Sequence, residues 1–131
     1  MNTKTMVASG PVIIEDNKVL LNKSGEDDFW KFCGGRLNAE DNLIGVAKAR
    51  VREEMGIEIE IVDPNPFLMI TKKPNETDID VILVHFLTKR IGEIKPGKMV
   101  KEWEWFDVND LPEDLAPNII PTLKHFKFLD S

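Results

Sequence analysis

Two adjacent acidic residues, Glu53 and Glu54, lie near the end of a segment with helical periodicity. Carboxylate oxygens are ligands that Mg²⁺ prefers, and bound metal polarises phosphorus–oxygen bonds and lowers the pKa of a coordinated water. Arg50 is three and four positions earlier, so it shares one helix face with both glutamates. There it is expected to pair with Glu54 or to bind a substrate phosphate through its planar guanidinium. This arrangement predicts metal-assisted chemistry on a small phosphorylated molecule.

The segment around these residues predicts a helix over residues 42–55. Negative charge before it, at Asp41, favours a helix N-terminus, and Gly56 after it suits a left-handed cap. In isolation, the acidic pair beside arginines would be interpreted as a solvated face held by i,i+4 pairs. The apolar side chains recur every four residues and predict a separate buried stripe: Leu43, Ala47, Val51 and Met55.

The stretch from Gly35 to Ile57 resembles the signature of the Nudix hydrolases, G-x5-E-x7-R-E-U-x-E-E-x-G-U, where U is a bulky aliphatic residue. The resemblance extends over nearly the whole chain, because residues 30–35 resemble the strand before the box and residues 104–107 resemble a late strand of the family. The positions that match the signature, or come close to it, are Gly35, Asp41 at the first glutamate, Val51, Glu53, Glu54, Gly56 and Ile57.

What the resemblance implies is a single domain over residues 1–131 with an α/β or α+β mixed sheet, arranged as a Nudix-like α/β/α sandwich. It implies hydrolysis of the pyrophosphate bond in a nucleoside diphosphate linked to another moiety, by metal-activated water. The expected metal is Mg²⁺ or Mn²⁺, held by Glu53, Glu54 and the backbone carbonyl of Gly34. Arg36, directly after the glycines, and Arg50 are the candidates for binding the substrate.

A general base outside the box is also implied by the resemblance, from the segment before the late tryptophan. Glu102 and Glu104 are the candidates, and Glu102 is preferred. The alternation of a strand would place both on one face, opposite Trp103 and Trp105. The catalytic residues predicted are therefore Glu53, Glu54 and Glu102.

The chain departs from the signature at Ala49 and Arg50, which stand where the family has Arg-Glu. An arginine cannot coordinate a cation, so one metal remains compatible with the residues and a full multi-metal cluster does not. The departure supports an alternative function. In that alternative the chain is a catalytically decayed Nudix-fold module that binds a nucleotide or a protein partner without turnover.

Composition limits the remaining possibilities. The chain has 131 residues and a net charge of -6, which argues against binding a nucleic acid polymer. Its single cysteine, Cys33, excludes an internal disulfide. No apolar run approaches the roughly 18 residues of a membrane span, and the N-terminus does not resemble a signal peptide. A cytoplasmic protein without membrane contact is expected, and the resemblance is compatible with a homodimer.

The elements that must position these residues follow from periodicity and turn signals. Cys33, His85 and His125 are interpreted as structural residues. The strongest strand is residues 78–88, whose continuous apolar run predicts cover on both faces. The other predicted elements are a hairpin of residues 6–14 and 18–23, strands at 29–32, 57–62, 67–71 and 103–108, and a closing helix at 117–128.

Overall fold

The described part of the chain folds around one mixed β-sheet with two helices. The structure, a computed structural model, describes residues 4–73 and 76–130. No helix within these ranges is long and apolar enough to cross a membrane. The elements are β1 (Lys4–Glu15), β2 (Lys18–Ser24), β3 (Gly35–Arg36), α1 (Leu43–Met55), β4 (Glu58–Ile61), β5 (Phe67–Lys73), β6 (Glu76–Ile91), β7 (Val100–Asp107) and α2 (Ile119–His125).

The sheet has the strand order β4-β6-β1-β2-β7, with β3 paired to β1 and β5 paired to β6. Strands β1 and β6 run parallel in continuous register from Lys4↔Ile79 to Ile13↔Thr88. All other strand pairs are antiparallel. The sheet is therefore mixed, as the sequence predicted.

Successive side chains of β1 and β2 point to opposite sheet faces and divide the core in two. Val12 and Leu21 pack with Leu123 of α2 in what we call the α2-side core. Ile13 and Leu20 pack instead with residues of α1 in the α1-side core. With one helix on each face, the predicted α/β/α sandwich is confirmed.

Helix α1 has local signals at both ends. The Asn42 side chain caps its start by accepting a hydrogen bond from the Gly45 amide at 2.7 Å. At the other end Gly56 adopts a left-handed conformation with φ of 67°, as predicted. Asp41 is not the cap, because its carboxylate accepts a hydrogen bond from the Asn38 amide. The stripe of α1 is buried at Ala47, Val51 and Met55.

Two predicted elements differ from the structure. Residues 29–32 do not form a strand: Trp30 and Lys31 make isolated bridges, because each lies opposite a single residue of a different segment. The closing helix is shorter than residues 117–128, since α2 covers Ile119–His125. Before it, the Ala116 amide bonds to the carbonyl of Trp30, and after it Lys127 has a φ of 67° that cannot continue a helix.

Candidate active site

The glycine turn at Gly34 and Gly35 lies beside the last turns of α1. The backbone amide of Gly34 donates a hydrogen bond to Oε1 of Glu54 at 2.9 Å. Burial raises the pKa of the Glu54 carboxyl above its usual range, and this effect exceeds the opposing one of the Gly34 hydrogen bond. Glu54 is thus a partly buried carboxyl, held in place by the backbone of the turn.

Arg50 lies across the same turn. Its Nη1 is 3.3 Å from Oε2 of Glu53. Arg50 therefore pairs with Glu53, and not with Glu54 as the helical spacing predicts. A side chain at Gly35 would not fit beside it, because a Cβ there would lie 2.2 Å from Nε of Arg50. Glycine at position 35 therefore lets the arginine cross directly over the backbone.

A first cavity of about 390 Å³ opens on the sheet face that carries α2, and we call it the α2-side cavity. Both glycines of the turn reach its wall. Its floor comes from β1 and β6, and other walls come from residues 27–33, β5 and the residues before α2. The side chains that line it include Phe29, Phe32, His85 and Asn118.

A second cavity, of about 310 Å³, lies at the start of α1 and we call it the helix-side cavity. Its lining is mainly polar. The structure brings Arg36, Arg50 and Glu53 together around it. Because Arg50 also contacts the turn at Gly35, the two cavities are neighbours on either side of the glycine turn.

Glu102 lies elsewhere. In β7 it faces Lys23 across the β2–β7 ladder, and its carboxylate is 3.8 Å from the Lys23 Nζ. That ammonium also lies 4.9 Å from the centre of the Trp30 ring, in the α2-side core. Glu102 therefore lies on the α2 side of the sheet, whereas α1 packs on the other side. The structure therefore does not bring Glu102 together with Glu53 and Glu54, and its role as base stays a prediction.

The donor set for a metal ion is small. Within residues 4–73 and 76–130, no three His, Cys, Asp or Glu side chains form a cluster that could hold a metal ion. Glu53 and Glu54 supply two carboxylates at most. Mg²⁺ is commonly held by one or two carboxylates together with substrate phosphates. These residues therefore fit one ion shared with a bound pyrophosphate, and do not fit a cluster held by protein alone.

Two residues of the α2-side cavity were not predicted as functional. His85 is 5% exposed, with Nδ1 3.4 Å from the carbonyl of Gly10 and Nε2 2.7 Å from Nδ2 of Asn118. Burial lowers the pKa of His85 to about 4, so its imidazole is neutral near pH 7. The sequence indicates His85 only as a histidine inside an apolar strand. No motif or spacing predicts its contact with Asn118.

Comparisons with known proteins agree with one another. The NUDIX domain profile matches residues 4–126. An ADP-ribose pyrophosphatase of Methanocaldococcus jannaschii is 32% identical over 113 residues, which cover 82% of this chain but 64% of that protein. The crystal structure of a MutT NUDIX hydrolase from Burkholderia pseudomallei has a TM-score of 0.76 at 21% identity, covering 92% of this chain and 97% of that one. The MutT protein from Methanosarcina mazei Go1 has a TM-score of 0.79 at 18% identity, covering 96% and 95%.

Proposed function

The chain belongs to the NUDIX domain family, and from that premise we propose that it hydrolyses the pyrophosphate bond of a nucleoside diphosphate linked to another moiety. The observation that carries the proposal is the hydrogen bond from the Gly34 amide to the Glu54 carboxylate. It fixes a partly buried acidic group beside the turn that separates two cavities of different character. A substrate in which a nucleoside is joined to a charged diphosphate needs both kinds of space.

The two cavities suit the two halves of such a substrate. The α2-side cavity offers the aromatic side chains of Phe29 and Phe32 for a nucleoside. The helix-side cavity offers the guanidinium groups of Arg36 and Arg50 for phosphates. In this arrangement the bond to be cut lies near the glycine turn, within reach of the acidic residues of α1.

Glu54 is proposed to accept the proton of the attacking water. The Gly34 amide holds the Glu54 carboxylate beside the turn, and a carboxylate positioned next to the attacking water can accept its proton. The water oxygen forms a bond to phosphorus, the bridging P–O bond breaks, and its electron pair stays on the departing phosphate oxygen. A divalent cation bound by Glu53, Glu54 and the diphosphate would supply charge neutralisation and acidify the water.

The proposal is tested with a substrate panel containing ADP-ribose, nucleotide sugars, oxidised nucleoside triphosphates and dinucleoside polyphosphates, each with Mg²⁺ and with Mn²⁺. Released phosphate or nucleoside monophosphate is measured. On any substrate that is cleaved, Glu54→Gln should lower kcat by roughly 10²–10⁴-fold. Glu58→Gln is the matched control, because Glu58 is exposed and pairs with Arg52 away from both cavities. Full activity of Glu54→Gln would remove Glu54 from the mechanism.

The Arg50–Glu53 ion pair favours a second candidate function. It places a cation where the family signature has a carboxylate and engages one of the two remaining acidic groups. On this alternative the chain binds a nucleotide or a protein partner without turnover. Tight binding of a panel member, with no hydrolysis of any of them by wild type, would favour the binding module over the enzyme.

A further inference from the structure

Asn118 is at the N-cap position of α2 but does not cap it. Asparagine at this position usually accepts a hydrogen bond from the first turn through Oδ1, and here no such side-chain bond forms. The side chain is 6% exposed, lines the α2-side cavity and is directed to His85, whose Nε2 is 2.7 Å from Nδ2. The side-chain amide of Asn118 therefore bonds to His85 and not to the first turn of α2.

The partners of His85 determine which ring nitrogen carries the proton. Nδ1 is 3.4 Å from the carbonyl oxygen of Gly10, which can only accept a hydrogen bond. Nδ1 must therefore carry the hydrogen, which leaves Nε2 of the neutral ring with a lone pair. That lone pair can only accept, so the group of Asn118 that faces it must be the donor, Nδ2.

This order of donors leaves Oδ1 of Asn118 without a role inside the protein. Among the described residues, the buried side-chain oxygen without a hydrogen-bond partner is Oδ1 of Asn22. Oδ1 of Asn118 is not such a buried atom, and none of residues 4–73 and 76–130 donates a hydrogen bond to it, so it is accessible. Because Asn118 lines the α2-side cavity, this cavity is the space that Oδ1 reaches.

We propose that His85 is a positioning residue that holds the Asn118 amide with Oδ1 toward the α2-side cavity, so that the cavity selects a nucleobase with an exocyclic amine. The inference rests on the proposed function in assigning the nucleoside to this cavity. An amine N–H donates to Oδ1, as in the recognition of adenine by asparagine. A carbonyl at the same place would put two acceptors, its own oxygen and Oδ1, opposite each other, and neither would have a hydrogen-bond donor.

The test compares AMP with IMP: the amine of AMP stands beside an unprotonated ring nitrogen, and the carbonyl of IMP stands beside a ring nitrogen that carries a hydrogen. Binding is measured by calorimetry without divalent metal. Neither molecule contains a pyrophosphate bond, so turnover does not enter. We expect wild type to bind AMP at least about tenfold more tightly, the usual size of such discrimination. Equal binding, or a preference for IMP, would overturn the proposal.

His85→Phe removes the acceptor at Nε2 but keeps a ring against Phe32, whose centre is 4.8 Å from that of His85. Asn118 is then free to rotate, and the preference for AMP should fall to near one. The control is Thr88→Val, which removes another buried hydrogen bond of β6 outside the cavity, from Thr88 Oγ1 to the carbonyl of Val12. Thr88→Val should keep the preference for AMP over IMP. If His85→Phe also kept this preference, the role of His85 would be overturned.

A second measurement needs no variant. The ¹⁵N chemical shifts of the His85 ring in wild type should show a protonated Nδ1 and an unprotonated Nε2, and the opposite tautomer would overturn the inference even if His85→Phe fails to fold. The AMP preference also separates this inference from the proposed function. Preference with no hydrolysis of any panel substrate would support the inference and contradict the enzyme. Hydrolysis with equal binding of AMP and IMP would contradict the inference alone.

Discussion

Nη1 of Arg50 lies 3.3 Å from Oε2 of Glu53, and the arginine side chain crosses the backbone at Gly35 to reach it. The pair joins the glycine turn to the acidic end of α1. It also places a fixed positive charge beside the two carboxylates that could hold a metal ion. Any divalent cation that binds there must therefore compete with a guanidinium already in place.

Replacement of this arginine should strengthen metal binding. Two unit charges about 4 Å apart repel by about 1–4 kcal/mol near a protein surface, so the double change Ala49→Arg with Arg50→Glu should tighten Mn²⁺ binding by roughly tenfold or more. Turnover on the best substrate should rise with it. Both are measured by metal titration and by initial rates over a range of metal concentrations.

The control for that prediction is Arg52→Glu. It reverses the charge of an arginine on α1, as Arg50→Glu does within the double change, but at a residue whose guanidinium pairs with Glu58. It should leave metal affinity nearly unchanged. If wild type is already fast and the double change slows it, Arg50 is a substrate contact that the reaction requires.

Glu54→Gln should stabilise the protein at neutral pH while it removes activity. A carboxyl with a raised folded-state pKa binds its proton more tightly in the folded chain. Its contribution to stability is thus fully present below its unfolded pKa and is lost as pH rises through the folded value. Glutamine removes the buried charge and can still accept the Gly34 hydrogen bond. Tm should rise at about pH 7 and change little at about pH 4.

Glu53→Gln is the companion variant for this comparison. Its carboxylate is exposed, with a side chain 66% accessible, so the substitution should leave Tm nearly unchanged at both pH values. It should nevertheless weaken metal binding. A lower Tm for Glu54→Gln at neutral pH would show that the charged carboxylate of Glu54 is not a cost to the fold.

Glu102→Gln should have little effect on kcat. The carboxylate of Glu102 faces Lys23 on β2 and lies on the α2 side of the sheet, away from α1. Steady-state rates of Glu102→Gln and Glu104→Gln on the same substrate decide the question. A fall of roughly 10²–10⁴-fold for Glu102→Gln alone would establish it as the general base, as the sequence resemblance implied.

His85 should make the fold sensitive to mild acid. Its pKa is lowered from 6.5 to about 4 by burial, so between these values the unfolded chain binds the proton and the folded chain does not. The free energy of unfolding should fall by up to about 3 kcal/mol as pH decreases across that window. Denaturant titrations at several pH values measure it. His85→Phe should flatten the profile, and the exposed His125→Gln should not.

Much of the fold was predictable because it depends on local patterns. The stripe of α1, its glycine cap and the long apolar strand β6 each follow from the spacing of residues near in sequence. The strand predicted at residues 29–32 is wrong because it too was inferred from a local pattern. Trp30 and Phe32 are both buried in the α2-side core, so their alternation is that of a strand, but no neighbouring segment runs beside them for more than one residue.

The site was less predictable because its contacts join distant segments. The Nudix signature identified Glu53 and Glu54 as candidate site residues. It did not predict that Glu54 accepts a hydrogen bond from an amide 20 residues earlier. The pairing of His85 with Asn118 spans 33 residues and leaves no pattern in the sequence. Spacing within an element predicts which face a side chain occupies, while only the assembled sheet shows which groups meet across it.

Cys33 gives the glycine turn a natural chemical reporter. The thiol is 4% exposed, and burial raises its pKa well above the usual range, so a thiol reagent meets almost no reactive thiolate in the closed protein. The residue lies directly before Gly34 and is the single cysteine of the chain. The alkylation rate of Cys33 therefore reports how often this turn opens. A decrease of that rate on ligand addition would measure how much the ligand stabilises the closed turn.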